Sequence, residues 1–109
     1  MIKKFEMTDS QKRQREKIRK SIIKEMKANN LYKEPLADMV ERYMKLWDNC
    51  LMLEHDIETR GVQIKTIKGD YKKNDSTVVL VNTNKQMLIL LEKIGISATK
   101  VKADIGGSI

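Results

Sequence analysis

The chain is poor in the residues that catalytic and redox chemistry draws on. It has one cysteine, Cys50, one histidine, His55, one proline, Pro35, and five glycines, of which only Gly106 and Gly107 are adjacent. A single cysteine excludes an intramolecular disulfide, and its place in an apolar stretch points to a packed thiol in a reducing, cytosolic compartment. The glycines form neither GxxxxGK nor GxGxxG, so there is no phosphate-cradling loop and the chain is not expected to bind ATP. Aromatic residues make up only 5% of the chain and are not interleaved with its basic residues, which argues against a stacking platform for single-stranded nucleic acid. No apolar run approaches the ~20 residues that span a bilayer, and the opening MIKKFEMTDS lacks the apolar region of a signal peptide, so no membrane partner is expected.

At 109 residues the chain has room for one domain with a modest core, too little for a large catalytic fold. What it does have is positive charge, unevenly placed. Residues 1–33 hold 11 Lys/Arg against 4 Asp/Glu, residues 34–60 hold 3 against 7, and the remaining 49 residues hold 8 against 4. The N-terminal third thus matches the whole net charge of +7, a one-ended distribution that suits contact with a polyanion.

A first helix is expected from a cap at Asp9 or Ser10 to about Ala28, stopped by Asn29-Asn30. Ile18, Ile22 and Met26 recur every four residues as a narrow apolar stripe, whereas Arg13, Lys17, Lys20, Lys24 and Lys27 crowd within an arc of roughly 80° in which no acid lies between Arg13 and Lys27. A second helix should start after Pro35, whose missing N–H suits a helix start, and run from residue 36 to 60, roughly 37 Å at 1.5 Å per residue. Its apolar residues, among them Tyr43, Leu46, Trp47, Cys50, Leu53 and Ile57, cover about half the circumference, more than one neighbour can bury. Gly61 ends it, and residues 62–68 (VQIKTIK) alternate partially before a Gly69-Asp70 turn signal, as in a short extended arm or hairpin.

A third helix is expected from a cap at Asp75 or Ser76 to Gly95, apolar nearly all round its axis. A chain this small offers such a helix too few partners, so the surplus, including Met87, Leu88 and Leu91, is expected to lie between subunits of an oligomer. Residues 97–109 read as a tail.

Glu54-His55-Asp56-Ile57-Glu58 invites a metal or acid–base reading, since Glu54 and Glu58 lie one turn apart. His55, however, points about 100° away from Glu54, and such a site would need ligands from elsewhere. We read these as helix-surface groups, with Asp56 paired to Arg60 at i,i+4, and expect no metal, cofactor or catalytic residue. Because Glu54 and Glu58 fall inside the apolar arc, a salt bridge between subunits is a further use for them.

The basic helix carries the stronger functional signal. Ordinary solvated helix surfaces mix signs, while this arc has one sign only. A duplex presents roughly one negative charge per 1.7 Å, so a helix of ~30 Å can contact several phosphates without reading a base. Lys12, Arg13, Arg15, Lys17, Arg19, Lys20, Lys24 and Lys27 are the candidate DNA-binding residues. Upstream of residue 36 there is room for one good helix only, not a complete helix-turn-helix. Charge alone leaves a solvated face of a purely structural protein, a dimeric helical transcription regulator and another duplex-binding protein all open.

The long helix ending in DIETRG, the VQIKT arm and the stretch NTNKQMLILLEKIGIS, taken in order over residues 36–97, together resemble the compact small subunits of tailed-bacteriophage terminases. The specific positions are Asp56-Ile57-Glu58, Arg60-Gly61-Val62, Lys65-Thr66, Asn84-Lys85-Gln86-Met87, Leu88, Leu90, Leu91 and Gly95. Where relatives often carry Asn-Pro and Thr-Pro around the last helix, this chain has Asn74-Asp75 and Ser97-Ala98.

The resemblance implies a non-enzymatic, mainly α protein of the host bacterial cytoplasm. It would form a homo-oligomeric ring of about eight to ten subunits, bind double-stranded viral DNA at the packaging start, and regulate the large terminase subunit that carries the ATPase and nuclease. The expected organisation is a basic DNA-binding helix in residues 1–33, a helical oligomerisation core in 34–96 with Tyr43, Leu46, Trp47, Cys50, Leu53, Ile57, Met87, Leu88 and Leu91 at the interface, and a tail in 97–109. The tail and the arm at residues 62–74 are the candidate contacts for the large subunit.

Overall fold

The computed structural model describes residues 5–96; the expected tail at 97–109 lies outside them. Three helices, α1 (Asp9–Ala28), α2 (Leu36–Arg60) and α3 (Ser76–Lys93), are joined by a corner after α1 and by an antiparallel hairpin, β1 (Gln63–Lys65) and β2 (Tyr71–Lys73), between α2 and α3. The mainly helical class and the hairpin agree with the sequence reading.

The caps refine it. Thr8, not Asp9 or Ser10, caps α1: its hydroxyl accepts from the Gln11 N–H while the Gln11 carboxamide accepts from the Thr8 N–H, a reciprocal capping box. At α3 it is Asn74, not Asp75 or Ser76, whose side-chain oxygen accepts the first free N–H, that of Ser76, at 3.0 Å. α1 and α3 end alike. Asn30 (φ 59°) and Gly95 (φ 87°) take the left-handed conformation, and the amide after each, Leu31 or Ile96, donates back to the carbonyl of Met26 or Leu91 at 2.8 Å. The peptide bond between Glu34 and Pro35 is cis, and α2 begins at the next residue.

The core lies where these two helix ends meet the first half of α2. Ile22 and Met26 from α1, Val40, Tyr43 and Met44 from α2, and Ile94 and Ile96 after α3 form one buried cluster, extended by Cys50 and Met87 where α2 and α3 pack together. The expected stripe on α1 is therefore its docking face. Gly95 sits at the tightest point, since a β-carbon there would come within 2.7 Å of Leu31 Cδ1. Gly95→Ala is expected to cost about 1–3 kcal/mol, the left-handed backbone penalty plus overpacking. Denaturant unfolding measures it, and Leu31→Ala in the same chain should recover the overpacking part only.

Candidate nucleic-acid interface

α1 is held on α2 by two forked ion pairs as well as by its apolar stripe. The Arg15 guanidinium donates to both carboxylate oxygens of Asp48 at 2.7 and 3.1 Å, and Arg19 donates to Glu41 at 3.0–3.1 Å. Each group is partly buried, so the pairs fix the rotation of α1 about its own axis more than they add stability. Two of the eight candidate DNA-binding residues, Arg15 and Arg19, are thus committed to the subunit itself.

That rotation turns the others outward. Lys12, Arg13, Lys17, Lys20, Lys24 and Lys27 are all exposed, and the arc from Arg13 to Lys27 forms one face of the molecule. Two hollows flank it. One is lined by Lys20, Ile23, Lys24, Lys27 and Tyr32 beside Arg19; the other, between α1 and the end of α3, is lined by Lys17, Ile18, Ser21, Ile22, Tyr43, Leu91 and Ile96. Tyr32 was not expected in this surface. It lies past the end of α1, and the turn at Asn29-Asn30 folds it back so that the Lys27 ammonium stands 5.5 Å from its ring centroid. The basic face therefore has one aromatic neighbour.

The expected interface residues divide differently from the sequence reading. Tyr43, Cys50 and Met87 are buried within the subunit, Cys50 and Met87 where α2 and α3 pack together and Tyr43 in the cluster with Ile22 and Ile96. Leu46, Trp47 and Leu91 are half-buried against that core, Leu53 and Ile57 are partly covered, and Leu88 is 64% exposed. The Cys50 thiol donates to Asn84 Oδ1 at 3.4 Å, and burial pushes its pKa up, away from a reactive thiolate. The large apolar side chains left bare on α3 are Val78, Val79, Val81, Leu88 and Ile89. Apart from Val79, these share an arc of roughly 100° at 100° per residue, a phase that the evenly apolar sequence does not make obvious.

The Glu54–Glu58 stretch resolves into structure. His55 stacks tilted against Phe5 with centroids 5.2 Å apart, and Glu54 and Glu58 are exposed. Among the described residues no three His, Cys, Asp or Glu side chains are grouped to hold a metal ion. Asp56 pairs with Arg60 as expected, Arg60 donating through Nε and Nη2, and it also accepts from the Ser76 hydroxyl at 2.6 Å. Asn74, fully buried, completes this node: its amide nitrogen donates to the Gly61 carbonyl at 2.9 Å, and its oxygen takes the Ser76 N–H. The node ties the end of α2, the base of the hairpin and the start of α3 together.

Hydrogen bonds from Arg60 first, then from Ser76, hold the Asp56 carboxyl well below the usual carboxylate range. Because its folded pKa is depressed, the stabilisation is complete above the unfolded value of about 3.9 and is lost as pH falls below it. The midpoint gap between wild type and Asp56→Asn in thermal unfolding should therefore be widest near neutrality and narrow below about pH 4. A gap independent of pH would remove this role.

The family model described as "Phage terminase, small subunit" matches residues 16–102. The chain belongs to that family. Its role is accordingly in phage DNA packaging, and the match takes in Lys17, Lys20, Lys24 and Lys27 as well as the Asp56–Arg60–Asn74–Ser76 node. No curated protein and no solved structure matches the chain. Among the described residues no helix is long and apolar enough to cross a membrane.

Proposed function

We propose that this small terminase subunit is a non-catalytic packaging component that binds viral duplex DNA through the outward face of α1. The carrying observation is that Arg15 and Arg19 anchor α1 while Arg13, Lys17, Lys20, Lys24 and Lys27 are exposed on the opposite side and make no ion pair within the described residues. A rigid row of ammonium groups suits phosphates along a helical backbone and gives affinity with little base preference. Sequence preference would then come from the shape and bending of the DNA.

The bare arc of α3 is the proposed subunit interface of a homo-oligomeric ring, with Val78, Val81, Leu88 and Ile89 at its centre. Copies of α1 arrayed around such a ring multiply weak phosphate contacts through effective concentration. Recruitment and regulation of the large ATPase–nuclease subunit is assigned to residues 97–109, within the host cell. Native mass with and without duplex DNA tests the assembly. Eight or more subunits, with DNA bound to the assembled species, is the expected outcome; a dimer would overturn the ring.

A further inference from the structure

The β1–β2 hairpin carries a feature that the fold does not use. Its loop is a tight turn in which the Gly69 N–H donates to the Thr66 carbonyl at 3.0 Å, followed by Gly69 itself at φ 92°. Ile67 sits at the first central position of that turn, where polar residues or proline are usual, and its side chain is entirely exposed. It packs on nothing in the subunit's core. A β-branched apolar residue at the apex of a solvated turn breaks local consistency, and such places are where function is expected.

Basic residues surround it. Lys65, Lys68, Lys72 and Lys73 are exposed on the ribbon against one acid, Asp70. The register puts Lys65 opposite Tyr71 and Gln63 opposite Lys73 on one face, with Ile64 opposite Lys72 on the other, so ammonium groups flank the ribbon on both sides. Tyr71 is also mostly exposed. The base is rigid: the Asn74 N–H donates to the Val62 carbonyl at 2.7 Å, and the Asn74 side chain grips Gly61 and Ser76. From Gln63 to Ile67 the ribbon projects roughly 13 Å, more than the ~8 Å depth of a DNA groove.

We propose that this hairpin is a second duplex contact, separate from α1, in which the lysines straddle the phosphates on either side of a groove and Ile67 enters it as an apolar wedge against a base step. The inference rests on the reading of the protein as a duplex-binding component. Its charge chooses the occupant. A polyanion matches four lysines, and α1 of a second copy would repel them; on α2, Asp38, Glu41, Asp48 and Asp56 are already paired with arginines in the same subunit, which leaves the exposed Glu54 and Glu58 as the two carboxylates a second copy could offer. A wedge also kinks the duplex, and that bend supplies shape-based preference without base contacts.

The test uses the full chain and a 40-base-pair duplex carrying a donor and an acceptor dye at its two ends, titrated over a salt series. Lys68→Glu/Lys72→Glu/Lys73→Glu is expected to weaken binding on the order of 10-fold at low salt and to flatten the log-affinity against log-salt slope by about 2–3. Ile67→Ser should leave that slope unchanged while abolishing the increase in energy transfer that reports bending. If both variants bind and bend DNA like wild type while charge reversal on α1 removes binding, the hairpin proposal fails and the α1 reading stands. If the wild-type chain binds no duplex, both fail. Normal DNA binding by the hairpin variants with loss of large-subunit co-sedimentation, or with a reduced native mass, overturns the proposal in favour of a protein partner or a second copy.

Discussion

Replacing Lys17, Lys20 and Lys24 together by glutamate is expected to weaken duplex binding on the order of 100-fold or more at low salt and to flatten the log-affinity against log-salt slope by about 3. The three ammonium groups stand within the exposed arc of α1, one helical turn apart, where none makes an ion pair within the described residues. Each lysine that meets a phosphate displaces a condensed counterion, and each replacement removes that release and adds a like charge. The loss should be nearly the same for unrelated sequences, because phosphate contacts carry no base information. Since the three side chains are exposed, helix content and thermal midpoint should stay close to wild type, which separates a binding defect from unfolding. Anisotropy titration with the variant reads both quantities, and unchanged affinity at low salt would falsify the α1 assignment.

The paired arginines provide the contrast. Arg15→Gln and Arg19→Gln are expected to cost about 0.2–1 kcal/mol of stability each, the range of partly exposed ion pairs. Their effect on DNA binding should arise only through looser docking of α1. A salt slope that changes as much as in the lysine variant would mean that these arginines reach phosphates and that their pairing with Asp48 and Glu41 is broken on binding.

This division was partly legible in the sequence. Counting charge along the stretch treats all eight basic residues alike, but on a helical wheel Arg15 falls about 20° from both Ile22 and Met26, inside the docking stripe, and Arg19 lies about 20° beyond Met26. Glu41 and Asp48, seven residues apart, share a face of α2 and so can meet two arginines four residues apart on an antiparallel neighbour. Phase could thus have singled out the arginines; the choice of acids required the fold. The cap at Thr8 was legible too, because only Thr8 has a glutamine three residues on.

Asn74 was not legible. Asn74, Asp75 and Ser76 are all capping types, and what selects Asn74 is the Gly61 carbonyl, brought within reach of its amide by the hairpin. Likewise, the interface expectation for Cys50 and Met87 rests on the excess apolar surface of helices two and three, and the burial of both within the subunit was not legible. Which part of that surface α2 and α3 cover for each other is decided by their relative rotation, a tertiary property.

That rotation leads to the second large effect. Val81→Glu with Leu88→Glu is expected to dissociate the proposed oligomer to monomers at micromolar concentration while leaving the subunit folded. The two side chains lie on adjacent positions of the bare arc and are 53% and 64% exposed, so in an isolated subunit a glutamate at either place meets water. In an interface each introduces a buried carboxylate without a partner, which costs several kcal/mol, and the cost recurs at every contact of a closed ring. Binding to duplex should fall with it even though α1 is untouched, because the separate basic faces lose their effective concentration. Sedimentation of the variant reads the assembly state, and titration with duplexes of increasing length reads the second effect. Wild-type affinity should rise with duplex length as more subunits engage, while the monomeric variant should show little gain. An oligomer that survives both substitutions would move the interface off this face of α3, and a monomer that keeps full affinity would show that one copy of α1 suffices.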